Sequence, residues 1–156
     1  MTDRHTLLVL ALLMAACPGA VDAPTPQAAA KPEPDGPRFD VAIEAPTSAI
    51  AGQASNARIV ISPRAPWHVN LDYSPKLRMD ATGGVELDTR ERRGPDAARF
   101  DADGLAFDLP FTPRDKGPKR IAGELQFAVC GGESCAPQSV PVDFTVEVGC
   151  DTDALC

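Results

Sequence analysis

The chain predicts an all-β fold, an antiparallel β-sandwich, on three observations. Beyond Arg38 the apolar residues recur with period two in short runs, the runs are separated by Pro, Gly, Asn and Asp, and no run carries a helical stripe. At 156 residues and 44% apolar content the chain can build one ordinary core.

Each run follows the same rule. "FDVAIEA" (39 to 45) sets Phe39, Val41 and Ile43 against Asp40, Ala42 and Glu44, and "ARIVIS" (57 to 62) sets Ile59 and Ile61 against Arg58 and Ser62. "WHVNLDY" (67 to 73) alternates Trp67, Val69, Leu71 and Tyr73 with His68, Asn70 and Asp72. "KLRMD" (76 to 80), "VELDT" (85 to 89), "LAFDLPF" (105 to 111), "RIAGELQFAVC" (120 to 130) and "SVPVDFTVEV" (139 to 148) complete the set. Eight such strands, within an expected seven to nine, suit the immunoglobulin-like class of sandwich. The charged, Gly/Asp-rich segment from Arg90 to Gly104 reads as a loop with a short strand near Phe100.

The amino-terminal part stands outside that fold. Arg4 precedes the apolar run "LLVLALLMAA" (7 to 16), ten residues, too short to span a bilayer and suited to a signal peptide. "LMAAC" resembles the bacterial lipoprotein signal, in which the cysteine, here Cys17, is lipidated; the alternative is an ordinary secretory signal cleaved after Ala16 or Ala20. Either reading exports the chain. Residues 18 to 37, "PGAVDAPTPQAAAKPEPDGP", hold six prolines and almost no large apolar side chain, so they read as a tether. The expected organisation is a signal peptide (1–16), a lipid-anchored Pro-rich tether (17–37), the sandwich (38–149) and a Cys-containing tail (150–156), with the domain held at the bacterial cell envelope facing the periplasm.

Charge excludes some partners. A net charge of −7 without a basic cluster longer than Arg92 and Arg93 leaves no electrostatic footprint for nucleic acid, and none for an anionic membrane surface. The membrane is expected to be met through the lipid anchor only, and the chain reads as a monomer. It carries no phosphate loop, nucleophile elbow or Ser/His/Asp spacing, and no cofactor is expected. Asp101 and Asp103 in "DADG" read as a turn, because the glycine comes too soon for a calcium loop. His68, the one histidine beyond the signal, reads as a solvated strand residue, and Trp67 as core.

The cysteines carry the chemistry. In "VCGGESCAPQSVPVDFTV" (129 to 146) Cys130 and Cys135 end two facing strands, and a four-residue connection makes pairing partners sum to 265. Leu125 then faces Val140 and Ile121 faces Phe144, so the apolar faces match. Both cysteines fall on the polar face. Opposed cysteines bridge most easily at a non-hydrogen-bonded pair, and Pro137 and Pro141 fall on the same class of position, where they cost the hairpin no hydrogen bond but deny one to any further strand. The last strand is therefore expected to be an edge near its start, with an exposed cross-strand disulfide that another protein can reach. No Lys, Arg or His lies near in sequence to stabilise a thiolate, and Glu133 disfavours one. Gly131 and Gly132 leave room for an approaching backbone.

With Cys17 set aside, four cysteines allow three pairings. A local bridge from Cys150 to Cys156 would staple the tail, or form a second exchangeable pair. A four-thiolate zinc site does not fit the spacings x4, x14 and x5, so no metal is expected.

"LQFAVCGGESCAPQSVPVDFTV", with "PWHVNLDYSPKL" upstream, resembles the immunoglobulin-like N-terminal domain of the bacterial thiol:disulfide interchange protein DsbD family and related envelope lipoproteins, over roughly residues 39 to 148. The resemblance implies thiol–disulfide oxidoreductase activity with thioredoxin-like or other envelope thiol proteins. One of Cys130 and Cys135 would enter the mixed disulfide and the other resolve it. The family's membrane and thioredoxin-like domains are not found in these residues, so a separate protein is expected to donate electrons. Phe100 is the candidate for the aromatic loop that shields the pair. The rival reading is a non-catalytic immunoglobulin-like binding or structural module with inert disulfides.

Overall fold

A computed structural model of the chain describes residues 37–151. They belong to a compact unit, Asp35–Cys156. Eleven strands make two sheets: β1 (Phe39–Glu44), β2 (Ser48–Ile50), β3 (Ser55–Pro63), β4 (His68–Val69), β5 (Lys76–Ala81), β6 (Val85–Leu87), β7 (Glu91–Arg93), β8 (Arg99–Asp101), β9 (Gly104–Pro113), β10 (Gly117–Gly131) and β11 (Ser134–Gly149). One sheet runs β1-β3-β9-β6 with β8 also on β9; the other runs β2-β11-β10-β5-β7 with β4 also on β10. All ladders are antiparallel except the short parallel pairing of β2 with the end of β11. The fold is an antiparallel sandwich of the immunoglobulin-like class, as the period-two pattern predicts.

The core sits between the sheets and is built from the alternating apolar sets. Ile59 and Ile61 of β3 and Leu105, Phe107 and Leu109 of β9 meet Leu77 of β5, Ile121, Leu125 and Phe127 of β10 and Val142 and Val146 of β11, all fully buried. Burying one such side chain contributes about 1.5–3 kcal/mol, so these positions decide which face of each strand turns inward. Phe39 adds an edge-on contact to Phe127, ring centroids 4.9 Å apart.

The structure departs from the sequence reading at three places. The count rises from eight to eleven because β2, β7 and β8 are three-residue pieces at sheet margins, too short to show a period. The 90–104 segment holds β7, a 3₁₀ turn (Gly94–Asp96) and β8, the last where a strand near Phe100 is expected. The run from Trp67 to Tyr73 is strand only at His68 and Val69. The side-chain oxygen Oδ1 of Asn70 accepts a hydrogen bond from the Asp72 amide (2.9 Å), and this local turn ends the strand. Leu71, expected inside, is consequently 52% exposed.

Candidate functional site: the β10–β11 hairpin tip

β10 and β11 form the longest ladder in the molecule, fifteen register pairs from Gly117↔Val148 to Gly131↔Ser134. Leu125↔Val140, Ile121↔Phe144 and Cys130↔Cys135 are among them, the register the apolar pattern specifies. The connection is tighter than four residues, since Gly131 and Ser134 themselves pair and leave Gly132 and Glu133 as the loop. Gly132 has φ +60° and Glu133 does not have a positive φ, the arrangement of a type II′ turn, which demands glycine at its first central position.

Cys130 and Cys135 are joined by a disulfide with Cα atoms 4.0 Å apart. The backbone explains why the bond forms here. The Asn70 amide donates to the Ala128 carbonyl (2.9 Å), so that carbonyl points away from β11, and Ala128↔Pro137 is a non-hydrogen-bonded pair of the hairpin. Two residues on, Cys130↔Cys135 is of the same class, where opposed side chains stand closest.

The disulfide lies on the outer face of its sheet, and its inner-face neighbours are Val129 and Ala136. Its two ends differ. Cys135 is exposed, as is every outer-face residue of β11 from Pro137 to Glu147. Cys130 is only 8% exposed, which corrects the expectation of a pair open at both sulfurs. Cys130 stands on an inner strand with β11 on one flank and β4 on the other, and Ala128 beside it on the same face is buried too. Among the described residues only Glu147–Gly149 of β11 meet a further strand, β2, so Ser134–Val146 form a free edge.

The two glycines of the turn play unlike parts. Gly132 has open space where a Cβ would stand. At Gly131 a Cβ would meet the Trp67 ring at 2.8 Å, so the room expected there is already filled from the core side. Trp67 is 7% exposed, a core residue, and the Arg38 guanidinium carbon sits 4.9 Å from its ring centroid.

The register of β4 also brings His68 to the site. His68 pairs with Cys130 and Val69 with Val129. Register partners share a face, so exposed His68 flanks Cys130 on the outer side. The sequence shows His68 only as a solvated strand residue, because nothing local to it announces a ladder to a strand about sixty positions on. Phe100 is partly buried against the core, with a ring carbon 3.5 Å from where a Cβ on Gly94 would stand. "DADG" is the β8–β9 turn, with Asp101 paired to Gly104 and its carboxylate accepting the Asp103 amide (2.9 Å).

Cys150 is disulfide-bonded. The expected bridge to Cys156, and the lipidation of Cys17, fall on residues outside the described ones.

No protein-family model matches the chain, and no curated protein matches it. Solved structures do. A part of Escherichia coli alpha-2-macroglobulin running from domain MG7 to the C-terminus aligns at 14% identity and TM-score 0.48 over 72% of this chain, which spans 16% of that part. The cohesin module of a Clostridium perfringens family 33 glycoside hydrolase aligns at 11% identity and TM-score 0.47, covering 72% of this chain and 98% of the module. AggA, the major subunit of E. coli aggregative adherence fimbriae type I, aligns at 8% identity and TM-score 0.40, covering 71% and 94%. The fold assignment rests on the ladders above.

Proposed function

We propose that the domain exchanges disulfides with thioredoxin-like partners through Cys130 and Cys135, in the manner of a DsbD N-terminal-like domain, and that Cys17 tethers it by lipid to the bacterial envelope on the periplasmic side. The observation that carries this reading is the asymmetry of the disulfide: exposed Cys135 beside a free strand edge, bonded to covered Cys130. A partner thiolate attacks the Cys135 sulfur and forms a mixed disulfide, while the bonding pair leaves on Cys130. The partner's second thiolate then attacks its own sulfur in that mixed disulfide and releases Cys135. The domain ends as a dithiol and the partner as a disulfide.

The test is trapping on the full chain. Cys130→Ser should form a mixed disulfide with a thioredoxin-like protein that lacks its resolving cysteine and carries thionitrobenzoate on the other, the Cys135 thiolate displacing the thionitrobenzoate, and Cys135→Ser should not. Absence of adducts from both variants, with a reduction potential below about −300 mV, would leave the disulfide inert.

A second reading, a non-catalytic binding or structural module, is favoured by one feature, the proline-free end of the open edge, residues 142–146, where a partner strand could pair. In that case a Cys130→Ala/Cys135→Ala variant keeps full binding.

A further inference from the structure

We propose that His68 is the proton donor and counter-charge for the Cys130 sulfur when the disulfide opens, an assignment that rests on the exchange reading above. The placement is set by backbone register. Cys130↔His68 are partners in the β4–β10 ladder, and directly opposed residues carry Cβ atoms about 4.5–5.5 Å apart on one face. Cys135 stands on the other flank of Cys130, so β4, β10 and β11 set His68, Cys130 and Cys135 in one row across the outer face. His68 is exposed, while Cys130, which it flanks, is covered.

The charges around this row make a cation there matter. Glu133 sits in the hairpin turn and Asp72 follows β4. The β8–β9 turn packs on β4 through the Val69 amide and the Ala102 carbonyl (2.9 Å) and brings Asp101 and Asp103, with Arg99 already engaged by Asp101. Arg38 lies over the Trp67 ring. Glu133, in the turn that joins the two cysteines, disfavours a thiolate on Cys130, and an imidazolium on its register partner His68 offsets that charge. In the reaction the partner thiolate bonds to Cys135, the disulfide bond breaks, its electron pair goes to Cys130, and the His68 imidazolium gives that sulfur its proton. Water restores the proton to His68. A leaving thiol of lower pKa leaves faster, so His68 also sets the rate.

The experiment follows the Cys130 thiol by its ultraviolet thiolate absorbance in Cys135→Ser, with and without His68→Gln. Removing the histidine should raise the Cys130 pKa by about one unit or more, about a tenfold loss of thiolate at neutral pH, and slow its alkylation by iodoacetamide in proportion. His68→Lys, which keeps a cation, should restore most of both. An unchanged pKa in His68→Gln, or a Lys variant no better than Gln, overturns the assignment. Should His68→Gln misfold, the imidazole resonances of His68 in Cys135→Ser carry the same test: they must show an inflection at the Cys130 titration, and their indifference to it overturns the proposal. The probe is a small alkylating agent, so these readings are separate from partner trapping. Trapping with an unmoved pKa rejects His68 alone, and a moved pKa without trapping rejects the exchange reading.

Discussion

The Trp67 ring occupies the space in which a side chain on Gly131 would have to stand, with Cε3 2.8 Å from the Cβ position. The bulge-free end of β10 therefore depends on a residue from the segment before β4. Glycine at position 131 is there for close approach, since its φ is not positive.

Gly131→Ala should push Trp67 off the core and destabilise the domain by about 1–3 kcal/mol, the usual cost of inserting a methyl into a packed site. Denaturant midpoints and the tryptophan emission maximum, red-shifted as the ring meets water, check this. Gly132→Ala has open space for its methyl but an unfavourable φ of +60°, so it should destabilise without moving the emission maximum.

The free edge of β11 is guarded by proline. Ala128↔Pro137 and Glu124↔Pro141 lie at positions where an amide would point out of the sheet, so both prolines remove outward donors. Pro137→Thr/Pro141→Thr restores those donors and should make the domain associate with concentration, measurable by sedimentation velocity. A variant that stays monomeric at the highest soluble concentration would show that the prolines do not guard the edge.

The pH dependence of stability follows from surface carboxylates. Arg64 holds the Asp40 carboxyl below its usual value of 3.8 by hydrogen bonding, Arg120 does the same to Asp143 and Arg99 to Asp101, and Arg114 lowers Glu86 from 4.5. A depressed folded-state pKa means that the unfolded chain binds more protons, so this stability is complete above the unfolded values and is lost as pH falls through the folded ones. Thermal midpoints should be level above about pH 5 and fall below about pH 4. Because these pairs are exposed, molar salt should flatten the acid limb. An acid limb indifferent to salt would assign the loss to other groups.

The hairpin was legible in the sequence because everything that specifies it is local: two apolar sets of matching parity, a glycine where the turn needs a positive φ, and cysteines at equal distance from it. Leu125↔Val140 and Cys130↔Cys135 follow from that alone. What was not legible is long-range. His68 meets Cys130 through two pairs of a two-residue strand, whose position depends on how the whole sheet packs. Leu71 obeys the alternation of its run and yet lies outside, because the Asn70 turn overrides the period. The burial of Cys130 belongs to the same class, as it depends on the strand flanking β10 rather than on parity.

Removing the disulfide should leave the domain folded. The bond closes a segment of sequence separation 5, for which the chain-entropy argument gives a contribution of about 2 kcal/mol. The fifteen-pair ladder and the two-residue turn already hold the strand ends together, so the native state asks little of the cross-link. Cys130→Ala/Cys135→Ala should therefore keep the far-ultraviolet circular dichroism of the parent and lose no more than about 2 kcal/mol in urea. That small loss is what a pair that opens and closes in a reaction cycle requires, because the dithiol form must stay folded to be reoxidised. Unfolding of the double variant, or of the reduced parent, would make the bond a staple and remove the basis for exchange.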